Sequence, residues 1–106
     1  MPMIMRTAML GGVAMMLASL PAQAATVKVV IDKLVFTPAE ISLAVGDTIE
    51  WVNRDVMEHT ATVERGFDVR IPAKKSASIV VKEAGTLDYY CRYHPNMRGR
   101  IVVQAK

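Results

Sequence analysis

No stretch after residue 25 keeps a helical period over ten or more residues, and this constrains the fold more than any other feature of the chain. Short apolar alternations broken by turn residues take its place. From Thr26 to Ile31, Val27, Val29 and Ile31 share one face and Lys28 takes the other, with Val30 breaking the pattern toward a second layer. Asp32-Lys33 turns the chain, and Leu34 to Thr37 ends at Pro38, which cannot donate to a ladder and suits an edge or a strand end. Glu40 to Val45 points Ile41, Leu43 and Val45 inward, Gly46-Asp47 turns again, and Thr48 to Asn53 sets Ile49 and Trp51 against Glu50. After a polar connection, His59 opens a strand running to Glu64. Phe67 to Ile71 reads equally as a short strand or a loop. Ser76 to Lys82, Thr86 to Cys91 and Arg98 to Gln104 complete the set. Some eight short strands at this spacing predict an all-β fold, a two-sheet antiparallel sandwich with Greek-key connections. There is no internal repeat and no linker, so residues 25–106 are expected to form one domain, read as a monomer.

The first 24 residues stand apart. Their only charged side chain is Arg6, followed by an apolar run from Ala8 to Leu20 and then Pro21-Ala22-Gln23-Ala24. This has the three parts of a secretory signal peptide, with cleavage expected after Ala24. The apolar run, broken by Gly11-Gly12 and ended by a proline, is shorter than the roughly 20 residues a spanning helix needs. The expectation is therefore a periplasmic protein without membrane insertion after cleavage. Removing 24 of the 106 residues leaves 82, with 12 basic and 10 acidic side chains and only Met57 and Met97 of the eight methionines. A domain this small often leans on a metal or a disulfide. A single Cys excludes an internal disulfide, and a metal would protect an exported thiol from oxidation.

The chemistry is concentrated in Tyr89-Tyr90-Cys91-Arg92-Tyr93-His94-Pro95-Asn96-Met97, where a thiolate, an imidazole and a thioether stand three residues apart. His59 is too distant for a local motif, but two strand ends can meet at one pole of a sandwich. The candidate ligands are then His59, Cys91, His94 and Met97. A trigonal His2Cys set with a weak axial Met is the blue-copper electron-transfer pattern, in which little has to move when the electron arrives. A Cys-x-x-His-x-x-Met loop wraps three donors around one ion, with Pro95 limiting its conformations and Gly99 allowing a sharp exit. His94, on the loop, is expected to be more exposed than His59.

Other chemistries fit less well. Attachment of a c-type haem needs Cys-x-x-Cys-His, which is absent. Structural zinc takes four Cys or His donors, and the chain has three. A Cys91/His nucleophile-base pair leaves Met97 without a role, and both His belong to one site, so no second copper centre and no enzyme is expected. An export signal without a basic stripe speaks against nucleic acid. A copper carrier or store using the same ligands is the alternative to an electron shuttle.

The chain resembles the cupredoxins of the plastocyanin, pseudoazurin and amicyanin group over essentially the whole of residues 25–106. The resemblance is carried by Phe36-Thr37-Pro38, Val45-Gly46-Asp47-Thr48, Trp51-Val52-Asn53, His59, Gly85-Thr86-Leu87-Asp88-Tyr89-Tyr90-Cys91 and His94-Pro95-Asn96-Met97-Arg98-Gly99. The short ligand loop is most similar to amicyanin. The resemblance implies one copper ion on His59, Cys91, His94 and Met97, with His94 as an exposed electron port. It also implies redox-protein partners, an amine-oxidising periplasmic dehydrogenase as donor and a c-type cytochrome as acceptor. Glu58-His59-Thr60 departs from the usual Pro-His-Asn, and Arg92-Tyr93 from Thr-Pro. Met57, Tyr93 and Pro95 are expected to form an apolar docking patch rimmed by Arg92, Arg98, Arg100 and Arg54.

Overall fold

The computed structural model describes residues 23–106, so the signal-peptide reading falls outside the described residues except for Gln23 and Ala24. Nine strands follow: β1 (Thr26–Asp32), β2 (Val35–Thr37), β3 (Glu40–Ala44), β4 (Thr48–Asn53), β5 (His59–Thr62), β6 (Asp68–Ile71), β7 (Ser76–Val80), β8 (Gly85–Cys91) and β9 (His94–Gln104). They form a four-stranded sheet, β2-β1-β4-β7, and a five-stranded sheet, β3-β9-β8-β5-β6. The two-sheet sandwich is as expected, and the ambiguous segment before Pro72 is strand β6. Within the sheets, however, β1 pairs with β4 and β3 with β9 in parallel. Alternation alone does not report this, because a strand with one buried face looks the same in either pairing.

The alternating faces meet as read. Val29, Ile31, Ile49 and Trp51 from one sheet close on Ile41, Leu43, Ala61, Ile71, Tyr89, Ile101 and Val103 from the other. Each large side chain buried in this way contributes about 1.5–3 kcal/mol. Trp51 and Tyr89 sit at the centre, with rings 5.7 Å apart and edge to face, and Trp51 Nε1 donates to Tyr89 Oη at 3.3 Å. Burial pushes the Tyr89 phenol up to about 12, so it stays neutral.

The registers gather four connections at one pole. Ile31 and Asn53 are partners near the ends of β1 and β4, His59 opposes Ile71, Val52 opposes Ser76, and Cys91 opposes His94. The β1–β2, β4–β5, β6–β7 and β8–β9 connections therefore lie side by side. Buried Asn53 staples them. Its Nδ2 group donates toward the carbonyls of Met57 at 2.9 Å, Ile71 at 3.1 Å and Pro72 at 3.3 Å, and its Oδ1 accepts from the Asp55 amide.

At the opposite end, Asp47 follows Gly46, whose φ of 96° makes the turn that glycine favours. Its carboxylate accepts the amides of Ala44 and Ala25, both at 2.9 Å, and these hold its pKa below the usual 3.8. A depressed carboxylate contributes stability that is present above the unfolded pKa and lost as pH falls through the folded one. Asp47→Asn is therefore expected to melt below the parent protein at neutral pH, with the two curves converging as the pH falls below the ordinary carboxylate range. Thermal melts followed by circular dichroism at several pH values check this, and a constant gap at every pH would contradict it.

Candidate metal centre

β5 delivers His59 and β8 delivers Cys91, both 0 % exposed, while His94 opens β9 and remains partly exposed. One donor atom from each lies within 4.8 Å of the other two. Cys91 Sγ is 3.6 Å from His59 Nδ1 and 3.7 Å from His94 Nδ1, and the two imidazole centroids are 5.3 Å apart. Separations of this size are what donors sharing one ion, at bonds of about 2.0–2.3 Å, leave between themselves. Two imidazoles and one buried thiolate are a donor set that fits a single copper ion.

The expected loop is more ordered than the sequence implied. Arg92-Tyr93 forms a two-residue turn between partners Cys91 and His94. The pairing of β8 then steps from Cys91–His94 to Tyr90–Arg98, leaving Pro95, Asn96 and Met97 without partners in the ladder. This is a bulge, and Pro95, having no N–H, has nothing to lose in one. β9 thus begins at His94 instead of Arg98, and Met97 is buried in the bulge that follows the second imidazole. The structure brings His59, Cys91 and His94 together and places the Met97 side chain in the adjoining core.

Each donor is held from behind. Asp55 Oδ2 lies 2.8 Å from His59 Nε2. A carboxylate only accepts, so Nε2 carries a proton, and Nδ1 is the nitrogen that faces the thiol. The same carboxylate accepts the amides of Lys33 at 2.8 Å and Leu34 at 3.1 Å. Burial raises the Asp55 pKa, but the Leu34 amide, the His59 ring and the Lys33 amide more than offset this, and the net shift is downward. Sequence reasoning passed over Asp55 as a connecting residue. The available signal was a carboxylate four residues before a candidate ligand, a pattern too common to stand alone.

The thiol is held by Thr60, whose amide donates to Cys91 Sγ at 3.4 Å. The Thr60 hydroxyl joins a chain of hydrogen bonds behind the ligand turn. It accepts from the Arg92 amide at 2.8 Å and lies 2.8 Å from Thr62 Oγ1, which donates to Asp68 Oδ1 at 2.7 Å. Because Thr62 donates its proton to the carboxylate, Thr60 donates to Thr62. Asp68 Oδ2 in turn accepts from the Arg92 guanidinium at 2.6 Å, closing a circuit from the Arg92 backbone to its own side chain.

Tyr93 is tied down as well. Its hydroxyl donates to Glu58 Oε2 at 2.7 Å while Arg70 donates to Glu58 Oε1 at 2.8 Å. The Arg70 and Tyr93 bonds hold the Glu58 carboxyl below its ordinary range. Glu58 precedes one imidazole and Tyr93 the other, so this bond latches the two ligand-bearing turns together. It also revises the expected basic rim. Arg92 is paired with Asp68, and Arg100 with Asp88 at 2.8 Å, so neither presents a free charge. Of the side chains expected to form the apolar patch, Met57, Tyr93 and Pro95 are all exposed, and so is Val56, at 79 %.

This sandwich and its pole define a cupredoxin. The model of the cupredoxin-like domain matches residues 6–103, and the chain belongs to that family. Within it, amicyanin of Paracoccus versutus is 36 % identical over 94 residues, covering 82 % of this chain and 70 % of the relative. Plastocyanin of a Synechococcus strain is 34 % identical over 122 residues, covering 95 % and 90 %. Among solved structures, the reduced Cu(I) form of an amicyanin variant at pH 4 superposes with a TM-score of 0.70 at 33 % identity, covering 82 % of this chain and 88 % of that one.

Proposed function

We propose that the protein is a periplasmic type 1 copper protein that carries one electron between redox proteins, and that His59, Cys91, His94 and Met97 are the residues that would hold the ion. The observation that carries this reading is the convergence of a buried thiol and two imidazole nitrogens, 3.6 and 3.7 Å from it, at one pole of the sandwich. When bound, copper supplies the Cu(II)/Cu(I) couple. The chain's part is to keep the donors still. Asp55 fixes the His59 ring, the Thr60 amide holds the thiolate, and the Arg92 circuit and the Tyr93–Glu58 latch hold the turn that bears His94. Donors anchored by groups that do not depend on the oxidation state need little rearrangement when an electron arrives or leaves.

His94 is the most exposed of the three convergent donors and stands between exposed Tyr93 and Pro95 in the chain, which makes it the port. Burial of His59 and Cys91 favours retention of the ion over exchange, and so a shuttle over a copper carrier. With both histidines assigned to one centre, the role is that of a carrier of electrons without turnover of a substrate.

Cleavage after Ala24 fits the same picture. The Ala25 nitrogen lies 2.9 Å from Asp47 Oδ1, so the new terminal ammonium would meet a carboxylate.

Adding Cu(II) to the purified apo-protein is expected to give an intense blue thiolate-to-copper band, absent in Cys91→Ser. After reduction the ion is expected to stay bound in the presence of a competing chelator. Native mass spectrometry of the exported protein is expected to show residues 25–106 with one copper. A colourless copper-loaded parent protein would rule out the type 1 reading, and rapid loss of reduced copper to the chelator would favour the carrier.

A further inference from the structure

The pole has a second electrostatic feature, an excess of positive charge, on the Asp55 side. Lys33, Arg54, Lys74 and Lys75 are all exposed, and three connections bring them together. The Lys33 amide donates to Asp55 Oδ1 at 2.8 Å, and the Lys74 amide donates to the Asp55 carbonyl at 3.2 Å. Lys74 Nζ donates to the Arg54 carbonyl, and the Lys75 carbonyl accepts the Asn53 amide at 2.9 Å. None of the four side chains enters an ion pair among the described residues. The contrast with the other flank is direct, because Arg70 and Arg92 there are paired with Glu58 and Asp68. The carboxylates on the cationic flank are exposed Asp32 and Asp55, and the latter is turned inward onto His59 and two amides.

Two of these cations occupy backbone positions that favour other residues. Lys33 and Lys74 have φ of 51° and 62°, in the left-handed region where glycine and asparagine are most at home. Lys33 and Leu34, at φ 64°, form a two-residue hairpin turn of the kind that favours Asn-Gly. The local conformation would be satisfied more cheaply without a lysine at either site, so local structure does not account for the charge.

We propose that Lys33, Arg54, Lys74 and Lys75 form the docking face for the acidic surface of a redox partner protein, and that the partner's apolar contact falls on Val56 and Met57 between this face and His94. The proposal rests on the electron-transfer reading and names the chemistry of its partner. The Arg54–Glu58 connection carries Arg54 into the cationic face and Val56 and Met57 into the apolar patch, so one approach engages both. Opposite charge raises the encounter rate and orients the partner, while the apolar contact closes the path to the port.

The test uses two redox probes and one NMR probe. At low ionic strength, oxidation of the reduced copper protein by hexacyanoferrate(III) is expected to slow about threefold to tenfold in Lys33→Asn/Lys74→Asn, converging with the parent protein at high salt. Oxidation by the cationic tris(phenanthroline)cobalt(III) should not slow. The variant should melt no lower than the parent, because asparagine tolerates the left-handed conformation. Arg98→Gln, which removes a cation outside this face, should leave the hexacyanoferrate(III) rate within about twofold. An equal loss in Arg98→Gln would mean that net charge alone acts, and would overturn the proposal.

In the copper-free protein, paramagnetic hexacyanochromate(III) is expected to broaden the amide signals of Lys33, Arg54, Lys74 and Lys75 selectively. A hexaglutamate peptide should shift the same signals. Broadening spread evenly or centred on Arg92, or a peptide that shifts none of these four, would overturn the docking face. Because these NMR readouts need no copper, they separate failure of the docking face from failure of the copper reading, which would appear as a colourless protein.

Discussion

Gly99→Ala is expected to lower the thermal midpoint of the apo-protein by roughly 10–20 °C, an overpacking cost of about 3 kcal/mol in a domain of this size. A Cβ at this position would stand 2.4 Å from Cε1 and Cζ of Tyr89 and 2.6 Å from its hydroxyl. Tyr89 lies directly across the β8–β9 ladder from Gly99 and has nowhere to go. Its ring centroid is 4.6 Å from that of Phe36, its edge meets Trp51, and its hydroxyl accepts from the indole. The sequence reading assigned Gly99 to a sharp exit from the ligand loop. In the structure it has a steric role: it makes room for the aromatic ring that joins the two sheets, two residues before the thiolate. The measurement is a differential scanning calorimetry comparison of the two apo-proteins, and a shift of less than about 4 °C would show that Tyr89 can yield.

What could be read in advance follows from the period of a strand. Ile41, Leu43, Ile49 and Trp51 announced their buried faces because a side chain every second residue is a local signal. The ligand residues were legible for a similar reason: thiolate, imidazole and thioether are rare in residues 25–106, so their spacing carried information. The supporting bonds were not legible. Asp55, Asn53 and Asp68 are ordinary polar residues at sequence separations of 4 to 24 from the groups they orient, and only the folded chain selects their partners. The same is true of charge. Arg92 and Arg100 look like free cations in the sequence, but β6 places Asp68 and β8 places Asp88 against them. Lys33 and Lys75, 42 positions apart, both come to flank the connection that holds Asp55. Parallel pairing of β1 with β4 was hidden too, since it is decided by the route of the chain around the sandwich.

Asp55→Ala is expected to weaken copper binding by about 10- to 100-fold and to destabilise the apo-protein by roughly 2–4 kcal/mol. Three donors depend on this one carboxylate: the buried His59 Nε2 and the amides of Lys33 and Leu34. Removing it takes the hydrogen-bond partner from an imidazole N–H that is 0 % exposed in the intact fold. It also frees the ring to rotate or to exchange its proton between nitrogens, so Nδ1 no longer faces the thiolate by default. The two effects separate experimentally. Asp55→Asn keeps one acceptor oxygen for part of this network but loses the charge, so it should recover most of the stability while leaving copper affinity well below that of the parent protein. Chelator competition measures the first quantity and urea unfolding of the apo-protein the second. If copper affinity followed stability in both variants, Asp55 would be a structural staple for the β1–β2 turn alone. If affinity fell while stability was largely restored in Asp55→Asn, the carboxylate would be acting on the metal through the ring it orients.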